Sequence, residues 1–211
     1  MKRLLLVALL MPATLHAASS VCSVGHVDRK SELHWSESSL MTSPDCKFVV
    51  QIRPDPAGDA AAKAYVNRKL QKQRRLLFEV ERDGTLYWDA KSNRVAFQDR
   101  YSYGVYRMLF FDLERGTSSA FASSTDDRLR QAAQSKLKPG EIIVRYWPSM
   151  ASWLNGQAVV AVRLEIAAAS EGPLVGRCVG ILLSTISGLV LREISVVELN
   201  RLYDAKCTDL E

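Results

Sequence analysis

The side chains best suited to chemistry in this sequence form a basic stretch between residues 63 and 75. This stretch contains no Asp or Glu, and its cationic residues are Lys63, Arg68, Lys69, Lys72, Arg74 and Arg75. Positive charges at this density create a local field larger than a small net charge implies. The stretch predicts either a solvated surface or a contact for anionic groups, which would belong to an acidic protein, a glycolipid or a cell-wall polymer.

A tyrosine-rich segment is a second candidate contact. Tyr101 and Tyr103 flank Ser102 and precede Gly104, a pattern typical of a loop between two strands. Loop tyrosines offer a large contact area at a low cost in conformational entropy. We therefore add Tyr101 and Tyr103 to the predicted binding residues.

Signatures of catalysis are weak in this sequence. It contains no G-x-S-x-G elbow and no glycine-rich phosphate loop. Two carboxylates could still form the acid pair of a glycoside hydrolase. The candidates are Glu79, Glu81, Asp83, Asp89, Asp99, Asp112 and Glu165. Because these acids are scattered along the chain, solvated charges explain them better, and we predict no catalytic residue and no cofactor.

The N-terminus has the order of a secretory signal peptide. Lys2 and Arg3 precede an apolar run over residues 4–10, and Ala17 and Ala18 supply the small residues of a cleavage site. The run is shorter than the roughly 20 residues that cross a bilayer. An uncleaved anchor and a lipid anchor are the alternatives. We expect a periplasmic or secreted protein with no transmembrane segment after cleavage.

This export prediction sets the domain boundaries and the charge of the mature chain. Residues 1–17 are the predicted signal peptide, and residues 18–211 are predicted to form a single β-rich domain. The formal net charge of the full chain is +5. Removal of Lys2 and Arg3 lowers this excess further, so the charge and the exported location both argue against nucleic acid as a partner.

The four cysteines favour disulfides, because an even number in an exported chain is typical of oxidised pairs. Three pairings are possible. We prefer Cys22 with Cys46 and Cys178 with Cys207, since each pair closes a local loop. A zinc site built from Cys22, His26, His34 and Cys46 is the alternative, but neither cysteine has the close second thiolate of common zinc motifs. We predict no metal site.

The elements that would position these residues are mainly β-strands. Turn residues lead directly into a β-branched or apolar run at three places, residues 43–53, 89–98 and 152–162. Each run is followed by a second strand that ends at a glycine-containing turn. The second strands are predicted at residues 76–81, 106–113 and 179–183. The pattern indicates three hairpin-pair units.

Two motifs in these units resemble the blades of TolB-like and WD-repeat β-propellers. Ser43-Pro44-Asp45-Cys46-Lys47 is similar to the Ser-Pro-Asp-Gly-Lys turn of that family, with Cys46 in place of glycine, and residues 109–116 are similar to its outer strand and turn. The resemblance covers about half of the chain and implies antiparallel propeller-blade-like sheets. Propellers close with four to eight blades. Three legible units therefore predict a small or incomplete propeller, with a distorted sandwich as the alternative.

Two short helices are predicted to decorate the sheets. Residues 59–73 are rich in alanine and free of glycine and proline, which predicts a helix carrying the basic stretch. A second helix is predicted to start near Ser124 and to stop at Pro139 and Gly140. The tail over residues 197–205 is expected to add a short helical turn.

Together these features predict an exported binding protein of the bacterial envelope. The expected partner is another protein, and the expected role is that of an inhibitor or an immunity-type factor. Binding or hydrolysis of cell-wall glycan is the alternative function, and an anionic glycan or glycolipid is the alternative ligand.

Overall fold

The computed structural model describes residues 30–33, 38–54, 56, 61–68, 73–80, 82–91, 93–102, 105–116, 118–168 and 173–207. Within these residues the chain forms twelve β-strands and two α-helices. The elements are β1 Lys30–Leu33, β2 Ser39–Thr42, β3 Phe48–Arg53, β4 Ala62–Arg68, β5 Arg75–Val80, β6 Gly84–Trp88, β7 Arg94–Ser102, β8 Val105–Asp112, α1 Ser119–Gln134, β9 Glu141–Leu154, β10 Gln157–Ala168, β11 Val175–Ser184, β12 Val190–Ile194 and α2 Val196–Tyr203.

The strands form two sheets. The smaller sheet is a four-stranded meander in the order β2-β3-β4-β5, and the larger has eight strands in the order β1-β6-β7-β8-β9-β10-β11-β12. Neighbouring strands are antiparallel except β8 and β9, which meet in parallel at Val105 and Tyr146. One of the two sheets is curled as a half-barrel. The predicted fold class, mainly β with antiparallel sheets, is confirmed, and the structure also contains two short helices.

The three hairpin-pair units are only partly recovered in the pairing. Strands β7 and β8 pair with each other, and so do β10 and β11. Strands β3 and β5 do not pair, because β4 lies between them and pairs with both. The second and third units belong to one continuous sheet. Nothing in this arrangement identifies the TolB-like or WD-repeat family.

The helix predicted over residues 59–73 is wrong where the structure describes it, because residues 62–68 form strand β4. Ala62, Ala64 and Val66 are buried between the sheets, whereas Lys63 is exposed and Tyr65 is partly exposed. This period of two is that of a half-buried strand. Alanine has a high intrinsic helix propensity, but here Ala62 and Ala64 pack in the apolar cluster between the two sheets.

Both helices of the structure begin at a serine cap. Helix α1 starts five residues before the predicted Ser124, and the hydroxyl of Ser118 accepts the N–H of Phe121 at 3.2 Å. Helix α2 occupies the tail where a helical turn was expected, and Ser195 accepts the N–H of Glu198 at 3.1 Å. Serine caps satisfy N–H groups that have no partner inside the helix. None of the described helices is long and apolar enough to span a membrane.

Aromatic stacking joins the two sheets. Phe78 of β5 lies 4.1 Å from Phe97 of β7 and 5.3 Å from Phe111 of β8, measured between ring centroids. All three rings belong to the apolar cluster between the sheets. Separate clusters lie between the larger sheet and each of the two helices. The smaller sheet is therefore fixed to the larger one mainly by side-chain packing.

One of the two predicted disulfides lies within the described residues and is confirmed. Cys178 of β11 is bonded to Cys207, which follows α2. The side-chain amide of Asn200 accepts the N–H of Cys207 at 2.7 Å and donates to its carbonyl. Cys46 is also disulfide-bonded, but Cys22, its predicted partner, lies outside the described residues.

A buried carboxylate attaches α1 to the larger sheet. Asp126 accepts the backbone N–H of Met108 at 2.8 Å and forms an ion pair of 2.9 Å with Arg130. Arg130 in turn donates to the carbonyl of Tyr106. Burial raises the pKa of Asp126 above its ordinary value of 3.8.

We expect Asp126→Ala to lower the free energy of unfolding by about 1 to 3 kcal/mol, because the buried N–H of Met108 loses its acceptor.

The raised pKa of Asp126 also makes the stability of the protein depend on pH. Folding favours the protonated carboxyl, so the contribution of Asp126 is greatest below pH 3.8 and falls as the pH rises through the raised value. Urea unfolding at several pH values checks this. The difference in free energy of unfolding between the wild type and Asp126→Asn should decrease as the pH rises. An increase in this difference with pH would contradict a raised pKa for Asp126.

Candidate binding groove

An open groove of about 690 Å³ lies where strand β4 ends and strand β5 begins. Its lining comes from the smaller sheet and from the turn that follows β8 in the larger sheet. We call it the basic groove, and its lining residues are Phe48, Val66, Asn67, Arg68, Gln73, Arg74, Arg75, Leu113 and Glu114. Three of the six predicted basic residues therefore line one cavity.

The guanidinium of Arg75 packs against Gly116 in the turn after β8. A Cβ atom placed on Gly116 would collide with Nη1 of Arg75, so the absence of a side chain at Gly116 leaves room for the guanidinium. The φ angle of Gly116 is +73°, a conformation that favours glycine. Nη2 of Arg75 is buried and has no hydrogen-bond partner among the described residues. An acceptor supplied by a ligand would remove the cost of that unsatisfied donor.

The other two arginines lie at the mouth of the groove. The guanidinium of Arg68 lies over the ring of Phe48, 5.7 Å from its centroid. This is within the range of a cation–π contact, which restricts the Arg68 side chain without neutralising its charge. Arg74 is exposed.

The three arginines of the groove are not neutralised by ion pairs within the described part of the chain. None of Arg68, Arg74 and Arg75 forms an ion pair with another described residue. By contrast, Arg107 lies 2.6 Å from Asp99. Among the lining residues that the structure describes, Glu114 is the one carboxylate. The groove is therefore suited to anionic groups.

A second cavity, of about 510 Å³, lies beside the disulfide and also contains cationic side chains. Two of the three cationic side chains described there, Lys136 and Arg177, are already in ion pairs. Lys136 contacts Glu193 at 2.5 Å, and Arg177 contacts Glu141 at 3.1 Å. Unlike the three arginines of the basic groove, most of the cationic side chains here are neutralised by carboxylates.

The remaining predicted binding residues lie apart from the groove or outside the described residues. Lys63 is exposed on β4, opposite Arg53 and Glu79, and does not line the groove. Lys69, Lys72 and Tyr103 lie outside the described residues. The backbone of Tyr101 belongs to β7, so its predicted place in a loop is wrong.

Several of the acids considered for catalysis instead hold turns in place. Arg94 lies 3.8 Å from Asp89 and 3.7 Å from Asp112, and burial raises the pKa of Asp89. Asp112 also accepts the backbone N–H groups of Glu114 and Arg115 at 3.1 and 2.9 Å. The Asp112 carboxylate thereby shapes the turn that borders the basic groove.

Three of the other catalytic candidates form ion pairs. Asp99 pairs with Arg107, Glu165 with Arg145, and Asp83 with Arg100. Glu79 lies opposite Lys63 in the neighbouring strand. Glu81 lies outside the described residues.

Sequence reasoning missed the apolar and acidic lining of the groove. Phe48 and Leu113 are distant in sequence from the basic stretch. Pairing of β3 with β4 places Phe48 opposite Arg68, and the packing of the two sheets brings Leu113 to the groove. The sequence does predict the turn over residues 113–116, but nothing in the sequence indicates that this turn lines a groove.

The described residues contain no group of three or more His, Cys, Asp or Glu side chains that could hold a metal ion. The zinc alternative involved Cys22, His26 and His34, which lie outside the described residues. Neither protein-family models nor curated proteins give a match to this chain.

Proposed function

We propose that this chain is an exported binding protein that recognises an acidic surface of another protein through the basic groove. One observation carries the proposal: three arginines without ion-pair partners among the described residues line a single open cavity. Guanidinium groups bind carboxylates through paired hydrogen bonds and are enriched at the energetic centres of protein interfaces. The role that we favour is that of an inhibitor or an immunity-type factor.

The proposed location rests on two features. The N-terminal residues have the pattern of a signal peptide. The Cys178–Cys207 disulfide supports an oxidising compartment, such as the periplasm or the exterior of the cell.

The proposal is tested by affinity capture from envelope and secreted extracts with the oxidised mature protein. We expect Arg74→Glu/Arg75→Glu to lose the partner, because reversed charges repel the acidic surface. Arg68→Glu/Arg74→Glu is a second variant, since both side chains are exposed and tolerate substitution. Arg53→Glu/Arg82→Glu is the matched control. Its two arginines are exposed, do not line the groove, and give the same change in charge.

The supporting outcome is a protein that binds the wild type and the control variant but neither groove variant. A partner retained by both groove variants would refute the site. Capture of cell-wall material by all four proteins would instead favour the glycan-binding alternative.

A further inference from the structure

The floor of the basic groove is apolar. Phe48, Val66 and Leu113 line it and are 5%, 5% and 6% exposed. Its volume of about 690 Å³ is within the range of cavities that hold small ligands or several side chains. A ligand that was only an anion would leave this apolar surface unused, because a charged group binds poorly against hydrocarbon.

The polar lining suits a peptide backbone. Asn67 and Gln73 line the groove beside the arginines. Each side-chain amide can donate to a carbonyl and accept from an N–H group. A short peptide therefore finds partners for its main chain as well as for its side chains.

Glu114 limits the charge that the groove accepts. Three arginines and one glutamate give the described lining residues a net charge of about +2 at neutral pH. One or two ligand carboxylates neutralise this charge. A dense polyanion would place further negative charge beside Glu114, where the like charges repel.

We infer that the basic groove binds a short acidic peptide segment in which an apolar side chain lies beside one or two carboxylates. This deepens the proposed function and rests on it. The apolar side chain contacts Val66 and Leu113 beside the Phe48 ring, which Arg68 covers, and the carboxylates contact the three arginines. Glu114 is the specificity-determining residue that disfavours polyanions.

The test is a fluorescence titration of the full oxidised chain with three labelled hexapeptides. The first peptide contains the tripeptide Glu-Leu-Glu between glycines, the second replaces Leu by Ser, and the third replaces both Glu by Gln. We expect the Ser peptide to bind about tenfold more weakly, because it loses one contact group, and the Gln peptide about 100-fold more weakly, because it loses two. Arg68→Glu/Arg74→Glu should lose binding of the first peptide, and Arg53→Glu/Arg82→Glu should retain it.

Inorganic polyphosphate, used as a competitor, tests the role of Glu114. Polyphosphate should displace the first peptide more strongly from Glu114→Gln than from the wild type. Equal effects on the two proteins would overturn the assignment of Glu114.

Two results would overturn the peptide inference. One is equal binding of the Leu and Ser peptides, and the other is no binding of the first peptide at millimolar concentration. If the groove variants still lost the captured protein, the proposed function would survive these failures. If the groove variants kept that protein, the proposed function itself would fail.

Discussion

Phe97→Ala is expected to lower the free energy of unfolding by about 3 to 5 kcal/mol, the range for truncation of a large core aromatic. Phe97 is fully buried in β7, and its ring stacks 4.1 Å from Phe78 of β5. A Cβ on Gly84 would collide with the Phe97 ring, so the site is already tightly packed and cannot readily close over the cavity. Urea unfolding of the oxidised protein measures this loss.

The effect of Phe97→Ala should extend to the groove. Phe78 belongs to the same strand as Arg75, so a looser contact between the sheets disturbs the strand that carries one of the arginines. Leu76→Ala is the control within β5. Leu76 is 48% exposed, and we expect its truncation to change stability by about 0.5 kcal/mol or less. A loss below about 1 kcal/mol for Phe97→Ala would contradict the central role of the stack.

Removal of the Cys178–Cys207 disulfide is expected to cost about 3 to 4 kcal/mol of unfolding free energy, because the bond closes a loop with a sequence separation of 29 residues. The variant to use is Cys178→Ala/Cys207→Ala. Alanine avoids placing a hydroxyl at these buried positions, where the cysteines are 5% and 1% exposed. Urea unfolding again gives the loss.

The disulfide prediction also has a local readout. Amide hydrogen exchange in α2 should accelerate in the alanine variant, because the bond holds the segment after α2 against β11. Exchange in β4 and β5 should change little at low denaturant, since those strands belong to the other sheet. An unchanged midpoint of unfolding with unchanged exchange in α2 would contradict a stabilising role for the bond.

The features that sequence reasoning predicted are those with local causes. In the turn after β2, Asp45 accepts the Ser43 hydroxyl at 2.8 Å and the Lys47 N–H at 3.0 Å. Asn155 and Gly156 both have positive φ angles, 48° and 78°, and form the two-residue turn between β9 and β10. A few adjacent residues determine such turns, so they can be predicted from the local sequence. The disulfide between Cys178 and Cys207 was also recoverable because it closes a short loop.

The features that were missed depend on contacts between distant segments. Strand β4 was predicted as helix because its alanines favour a helix in isolation, whereas burial between two sheets determined the result. The predicted basic helix therefore became the end of a hairpin. The packing of Arg75 against Gly116 could not be foreseen, because it requires the turn after β8 to meet the start of β5.

The basic groove was accordingly predicted in part. Arg68, Arg74 and Arg75 were chosen for their charge, and they do line one cavity. The apolar floor and Glu114 became visible only in the folded chain, and these residues give the groove its proposed preference for a peptide.

The most direct test of the central claim, that the basic groove is the binding site, is the dissociation constant of the captured protein for four forms of the chain. We predict that Arg74→Glu/Arg75→Glu and Arg68→Glu/Arg74→Glu weaken binding by about 100-fold or more, equivalent to about 3 kcal/mol. The dissociation constant of Arg53→Glu/Arg82→Glu should be within about threefold of the wild-type value, because exposed charges away from the contact contribute little to binding energy. Similar losses in the groove variants and the control would show a diffuse charge effect. Unchanged binding in both groove variants would place the site elsewhere.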